Sequence, residues 1–153
     1  MFETLTPKEL FGLLETGTDG TWLLLIEDEE IHWSTKMCQT LGYEGQVRSI
    51  DEVLALIHPD DRSWHQKTIG EAIGNQQTQY QVEARMLHQD GHYITLAVRG
   101  AFLKLEDGRR VLFGLTADVS AVRDARLRLE RSERRFRAFV ENCPASVFIK
   151  TLD

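Results

Sequence analysis

The sequence predicts an α+β fold: a five-stranded antiparallel sheet with short helices on one face, an N-terminal flanking helix and a long C-terminal helix. Three observations predict it. Gln79–Leu87, His92–Leu105 and Arg109–Asp118 alternate apolar and polar residues, and the dipeptides Asp90-Gly91 and Asp107-Gly108 between them favour tight hairpin turns. Two shorter runs of strand length precede this meander, with helical segments between. At Asp118-Val119-Ser120 the apolar spacing changes from two residues to three or four with no Gly or Pro intervening, so a strand feeds straight into a helix. Such a joint lets a change in the sheet tilt or rotate the helix, which suits signal transmission better than chemistry.

The elements follow in chain order. Thr6-Pro7-Lys8-Glu9 opens a helix: Thr6 caps it, Pro7 fits the first helical position and Glu9 completes a capping box. Leu10, Phe11, Leu13 and Leu14 give that helix an apolar face, and Gly17 ends it. Thr21–Glu27 is the first short strand and Ile31–Ser34 the second, with Asp28-Glu29-Glu30 as the turn. A helix over Thr35–Leu41 stops at Gly42, and another spans Ser49–Ile57 with Val53, Leu54, Leu56 and Ile57 inward. His58-Pro59 breaks it, and Pro59 opens a helix that Gly74 closes. In the meander, Tyr80, Val82, Ala84 and Met86 share one face of the first strand. Ile94, Leu96, Val98 and Phe102 share one face of the second, and Val111, Phe113 and Leu115 alternate along the third.

From Ser120 the chain is helical. Val122, Ala125, Leu129, Ser132, Phe136 and Phe139 recur at the spacing of a short heptad seam, which suits a parallel dimer able to change twist; packing of this helix on its own sheet is the alternative. Residues 1–119 carry 10 Lys+Arg against 19 Asp+Glu, and residues 120–153 carry 8 against 5. The acidic body argues against nucleic acid as its ligand. No apolar run is long enough to span a bilayer and the N-terminus has no signal pattern, so the expectation is a cytoplasmic segment without membrane contact. Cys38 and Cys143 form no CxxC and read as reduced small hydrophobes.

Thr21-Trp22, Trp33-Ser34, Leu41-Gly42-Tyr43 and Ile57-His58-Pro59-Asp60-Asp61-Arg62 stand in the order of signposts of a known family. Asp90-Gly91, Gly108 and Gly114-Leu115-Thr116-Ala117-Asp118-Val119-Ser120 continue the pattern. Over about residues 18–122 the chain resembles a PAS domain, whose closing motif is Asp, a β-branched aliphatic residue, then Thr or Ser. One departure is that Gly91-His92-Tyr93-Ile94-Thr95 lacks the Trp often found after the hairpin Gly. Arg131–Pro144 resembles the start of a further such domain, with Phe148-Ile149-Lys150 as its first strand. The resemblance implies a flanking helix at 1–17, a sensor domain at 18–119, a signalling linker helix at 120–141 and the start of a following unit at 142–153. It also implies a homodimer through the N- and C-terminal helices and a downstream output domain in the same protein, such as a histidine kinase or diguanylate cyclase.

Candidate chemistry is sparse. No phosphate loop, GxSxG or HExxH occurs. His58, Asp60 and Asp61 lie together, but carboxylates in the first turn of a helix favour the positive end of its dipole, so a structural role is expected and no catalysis in this chain. The resemblance implies a small-molecule pocket between sheet and helices. Arg85 and Arg99 alternate away from the inward face and are expected to point out or pair with charges. The flavin-reactive Cys of light-sensing members is missing near Val47-Arg48-Ser49, and Cys38 lies earlier, which leaves at most non-covalent flavin. Heme-binding members ligate iron through a His in the helix after the break; His65 stands there, in line with Ile69, Ala72 and Ile73. The ligand is unknown from sequence; no cofactor is the first expectation, with heme or flavin open, and a pocket filled by side chains is the alternative to a bound ligand. Asp118, Val119, Ser120 and Arg123 are the candidate signal-transfer residues, with Ser120 able to cap the helix and Asp118 placed to pair with Arg123.

Overall fold

A computed structural model describes residues 6, 9, 11–12, 15, 20–105 and 107–143. Most of the N-terminal helix expected from Thr6 to Gly17, and the strand expected at 148–150, lie outside the described residues. Six strands and four helices follow: β1 Gly20–Leu25, β2 Glu30–Trp33, α1 Thr35–Leu41, β3 Val47–Ser49, α2 Ile50–Leu56, α3 Pro59–Gly74, β4 Tyr80–Leu87, β5 Tyr93–Lys104, β6 Arg110–Asp118 and α4 Ser120–Asn142. The chain divides into two compact units, Met1–Val119 and Ser120–Asp153.

The strands form one antiparallel sheet in the order β3-β2-β1-β6-β5-β4. β1 takes a central place because its apolar run does not alternate: Thr21, Leu23 and Leu24 are all buried, which needs cover on both faces. α2 and α3 carry the chain from the β3 edge to the β4 edge. Where the last long strands alternate, burial follows: Tyr80, Val82, Ala84 and Met86 are buried in β4, and Ile94, Leu96, Val98 and Phe102 in β5.

Local chemistry fixes the helix ends. Ser34, buried, caps α1 by accepting from the Met37 N–H at 3.1 Å, and its hydroxyl also accepts from the Thr21 N–H at 2.9 Å, tying the helix to β1. Gly42 ends α1 in the left-handed region at φ 77°. Ser49 and Glu52 form a reciprocal capping box on α2, the Glu52 carboxylate accepting from the Ser49 N–H at 2.7 Å and the Ser49 hydroxyl from the Glu52 N–H at 3.2 Å. The box expected at the N-terminus forms too: the Glu9 carboxylate accepts from the Thr6 N–H at 2.8 Å.

Three details depart from the sequence reading. The sheet has a sixth strand, β3, paired with β2 at Glu30–Ser49, Ile31–Arg48 and His32–Val47. Three residues are too few to show a period, and ladder hydrogen bonds are made by backbone whatever the side chains. α3 runs through Gly74 and is capped at Asn75, with the left-handed residue at Gln76 (φ 49°). In β6, Val111, Phe113 and Leu115 do share a face, but Leu112, Gly114 and Thr116 face the helices. Both faces of this central strand carry apolar residues, so alternation alone does not say which is inward.

Candidate functional site

Between the sheet and α1–α3 lies a cavity of about 270 Å3. Trp22 and Leu24 of β1, Ile31 and Trp33 of β2, Met86 of β4, Val98 of β5 and Leu112 and Thr116 of β6 form the sheet side. Met37 of α1, Ile50, Val53 and Leu54 of α2, Ile57, and His65, Gln66, Ile69, Gly70 and Ile73 of α3 close the other side.

One row across the sheet shapes the floor. Trp33 is paired with Trp22, Trp22 with Gly114, Gly114 with Gly100 and Gly100 with Tyr80. A Cβ on Gly114 would lie 2.6 Å from the Trp22 ring, and one on Gly100 would lie 2.4 Å from the Tyr80 ring. The two glycines leave room for both aromatic rings to lie over the sheet, their centroids 6.4 Å apart. Sequence reasoning missed this pair; an isolated Gly inside a strand pattern is the signal that could have found it.

His65 lies where helical spacing puts it, beside Ile69 and Ile73 on the cavity wall. Its Nδ1 is buried and makes no hydrogen bond. Burial pushes its pKa below the ordinary 6.5, and the nearby Asp61 charge opposes this only in part, so the ring is neutral near pH 7. The Thr116 hydroxyl, also on the wall, donates to the Gly20 carbonyl at 3.1 Å and is already engaged. His65 is thus the cavity's unspent polar group among those two.

The histidine-and-carboxylate cluster after α2 is engaged in hydrogen bonds at the start of α3. His58 precedes α3 and its Nδ1 accepts from the Asp60 N–H at 3.2 Å. Asp61 takes Arg85 in a two-pronged ion pair, Oδ2 accepting from Nε at 2.9 Å and Oδ1 from Nη2 at 2.7 Å, and Oδ2 also accepts from the Arg85 N–H at 2.9 Å. The Arg85 hydrogen bonds outweigh burial and hold the Asp61 carboxyl at about 2. With the Ile57–Met86 bridge and the His58 N–H donating to the Arg85 carbonyl at 2.8 Å, this pair fastens the start of α3 to β4. Arg99 is exposed. Cys38 lies off the cavity wall, its thiol 3.5 Å from the Gly45 carbonyl and its pKa raised by burial.

At the sheet's exit, Asp118 is the last residue of β6, opposite Leu96 of β5. The Val119 N–H donates to the Thr95 carbonyl at 2.9 Å. Ser120 is the first residue of α4, and Arg123 follows within its first turn. α4 buries none of its side chains: Val122, Leu129, Phe136 and Phe139 are 60–71% exposed. Among the described residues no helix is long and apolar enough to cross a membrane.

No curated protein sequence is significantly similar to the chain. The fold is similar to a sensory box histidine kinase/response regulator of Burkholderia thailandensis, with TM-score 0.68 and 22% identity over 84% of this chain and 98% of that one. It is also similar to the N-terminal domain of a diguanylate cyclase with a PAS/PAC sensor from Marinobacter aquaeolei, with TM-score 0.57 and 18% identity over 69% and 99% of the two chains. A light-oxygen-voltage domain studied with a flavin analogue matches at TM-score 0.59 and 17% identity over 81% of this chain and 95% of that one. The PAS-fold family model matches residues 30–116, more than half of the sequence, and the chain belongs to that family of sensor domains.

Proposed function

We propose that this chain is the small-molecule sensing and relay module of a longer cytoplasmic signalling protein. The observation that carries the reading is the apolar cavity with, on its wall, an imidazole whose Nδ1 makes no hydrogen bond, and with β6 in its floor. A molecule seated there presses on Leu112 and Thr116, and the same strand leads through Asp118, Val119 and Ser120 to Arg123 in α4. The exposed seam of α4 favours a homodimer, with the N-terminal helix as a second contact, and the histidine kinase and cyclase neighbours favour an output domain of that kind in the same protein. Catalysis then belongs to that output domain.

The ligand this cavity fits is small and mostly apolar, with one group that hydrogen-bonds His65. Native mass spectrometry of the purified chain tests it: a retained neutral molecule, lost when Ile69→Trp fills the wall, is the expected result. A wild-type chain that carries nothing and is stabilised by no small apolar compound would leave the ligand-free dimerisation module instead. The unpartnered His65 Nδ1 favours one second reading, heme ligation. The volume counts against it, because about 270 Å3 is less than the roughly 300–1,000 Å3 of ordinary ligand pockets and a heme macrocycle needs the walls to part. A Soret band abolished by His65→Ala would reverse that judgement, and a flavin band in the same scan would report non-covalent flavin.

A further inference from the structure

The turn between β4 and β5 carries three metal-ligating side chains that the cavity does not use. The His88 N–H donates to the His92 carbonyl at 2.7 Å, and the Gly91 N–H to the His88 carbonyl at 3.0 Å, with Gly91 in the left-handed region at φ 100°. This closure sets His88 and His92 opposite each other. Their rings stack with centroids 4.7 Å apart and planes 21° apart. Asp90, in the turn, folds its carboxylate back between them: Oδ1 lies 2.9 Å from His88 Nδ1 and in contact with His92 Nδ1.

The arrangement is braced from outside. Gln89 donates its N–H to the Leu41 carbonyl at 2.9 Å, docking the turn on the end of α1. The His88 ring lies against Gly42, where an added Cβ would come within 2.9 Å of it. Gly42 therefore serves twice, as the left-handed end of α1 and as the notch that seats His88. With that edge of the ring packed, Nδ1 is left facing Asp90.

His88 Nδ1 also stands 3.2 Å from the Asp90 N–H, where its lone pair accepts. A ring nitrogen that accepts cannot donate to Oδ1 at the same moment, so a proton serves these contacts only one at a time. A divalent cation takes the place of the Asp90 N–H at His88 Nδ1 and then serves the lone pairs of both imidazoles and the carboxylate together. The three donor atoms lie within 4.8 Å of one another, and tetrahedral zinc with bonds of ~2.0–2.1 Å needs them roughly 3.3 Å apart, so the two Asp90 contacts lengthen around the ion, an adjustment that rotation of the exposed Asp90 and His92 side chains supplies. Two imidazoles and one carboxylate select borderline ions over magnesium or calcium.

We propose that His88, Asp90 and His92 form a divalent transition-metal site of the zinc class, with water completing the coordination. An ion here locks the β4–β5 turn onto the end of α1, the helix that carries Met37 on the cavity wall. The proposal is independent of what the cavity binds.

The test is a calorimetric titration of the tag-free, chelator-treated full chain with Zn2+, and a Co2+ titration followed by absorption. One ion per chain, bound in about the micromolar range, is expected, with a rise in unfolding temperature on saturation. His92→Ala, at an exposed position, and Asp90→Asn, which keeps the shape of the turn, are each expected to weaken binding about tenfold or more. Both variants are checked for an unchanged unfolding transition without metal, because His88 is packed and a less conservative test there would confuse folding with binding. Absence of saturable uptake by the wild type overturns the proposal, and so does uptake by both variants at wild-type affinity.

Discussion

Trp33 in β2 is 1% exposed, whereas Phe136 in α4 is 66% exposed, although each stands in a segment with a clear apolar period. In the sheet unit, the inner faces of the strands and α1–α3 cover one another, so burial is completed within the chain. In α4 the seam has four large apolar side chains and no buried one. Periodicity therefore identifies an apolar face in both regions but not its partner. A face satisfied within the chain stabilises the fold; a face left open waits for another surface. The unit that encloses the cavity completes its core within the chain, and the helix after it keeps its apolar side chains exposed.

The largest break in this comparison is expected in the sheet unit. Asp61→Asn removes one half of the pair that fastens α3 to β4 and leaves Arg85 without its two-pronged partner. The Asp61 side chain is 14% exposed and that of Arg85 41%. A carboxyl held at about 2 rather than 3.8 corresponds to about 2 kcal/mol, which screening at the open Arg85 side reduces toward ~1 kcal/mol. The folded pKa is depressed, so this contribution is present above about pH 4 and is lost as pH falls through about 2. Urea unfolding of wild type and variant at several pH values checks it: the gap should be full at pH 7 and shrink below pH 4. A gap that persists unchanged at pH 3 would show that the ion pair is not its cause.

How much of this was legible in the sequence depends on what each feature needs. The capping box of Thr6 and Glu9, the stop at Gly42 and the Asp-Gly turns are written in residues close together, and they form as read. The inward faces of β4 and β5 were legible because the large aliphatic residues recur on one face of each, while the other face carries Gln81, Glu83 and Arg85 in β4 and Thr95, Ala97 and Arg99 in β5. β6 was not, because both its faces are apolar and the face toward the cavity includes Gly114 and Thr116. The Asp61–Arg85 pair joins residues 24 apart, and the Trp22–Gly114–Gly100–Tyr80 row needs three strand registers at once. His65 was legible as cavity-facing from its spacing to Ile69 and Ile73, but its lack of a partner depends on every element around it.

A smaller effect on the sheet unit is expected from the other side of the comparison. Leu129→Ser together with Phe136→Ser changes two exposed seam positions, so the unfolding of residues 1–119 should stay within about 0.5 kcal/mol. Sedimentation equilibrium should nevertheless show self-association weakened about tenfold or more, since two apolar knobs are lost from each helix. Wild-type association in the double variant would move the dimer contact elsewhere and leave the α4 seam for another partner.

The smallest expected effect on stability lies at the joint. Asp118 is exposed at the end of β6, opposite Leu96, and Asp118→Ala should change unfolding by less than about 0.5 kcal/mol. Its effect should appear in the output of the full-length protein. There, a coupling of about 1–3 kcal/mol between sheet and helix states corresponds to a change of at least about fivefold in the response. The two readouts separate because they depend on different differences. Stability compares folded with unfolded chain, and an exposed carboxylate at a strand end enters that comparison weakly. In the proposed relay, signalling compares two folded arrangements of one short joint, with Val119 held by the Thr95 carbonyl on one side and Ser120 already helical on the other. In that second comparison one hydrogen-bonding group near the helix start is a large share of what distinguishes the states. An Asp118→Ala protein that folds normally and keeps the full response would mean that the relay does not pass through this joint, and the cavity would have to reach its output by another edge of the sheet.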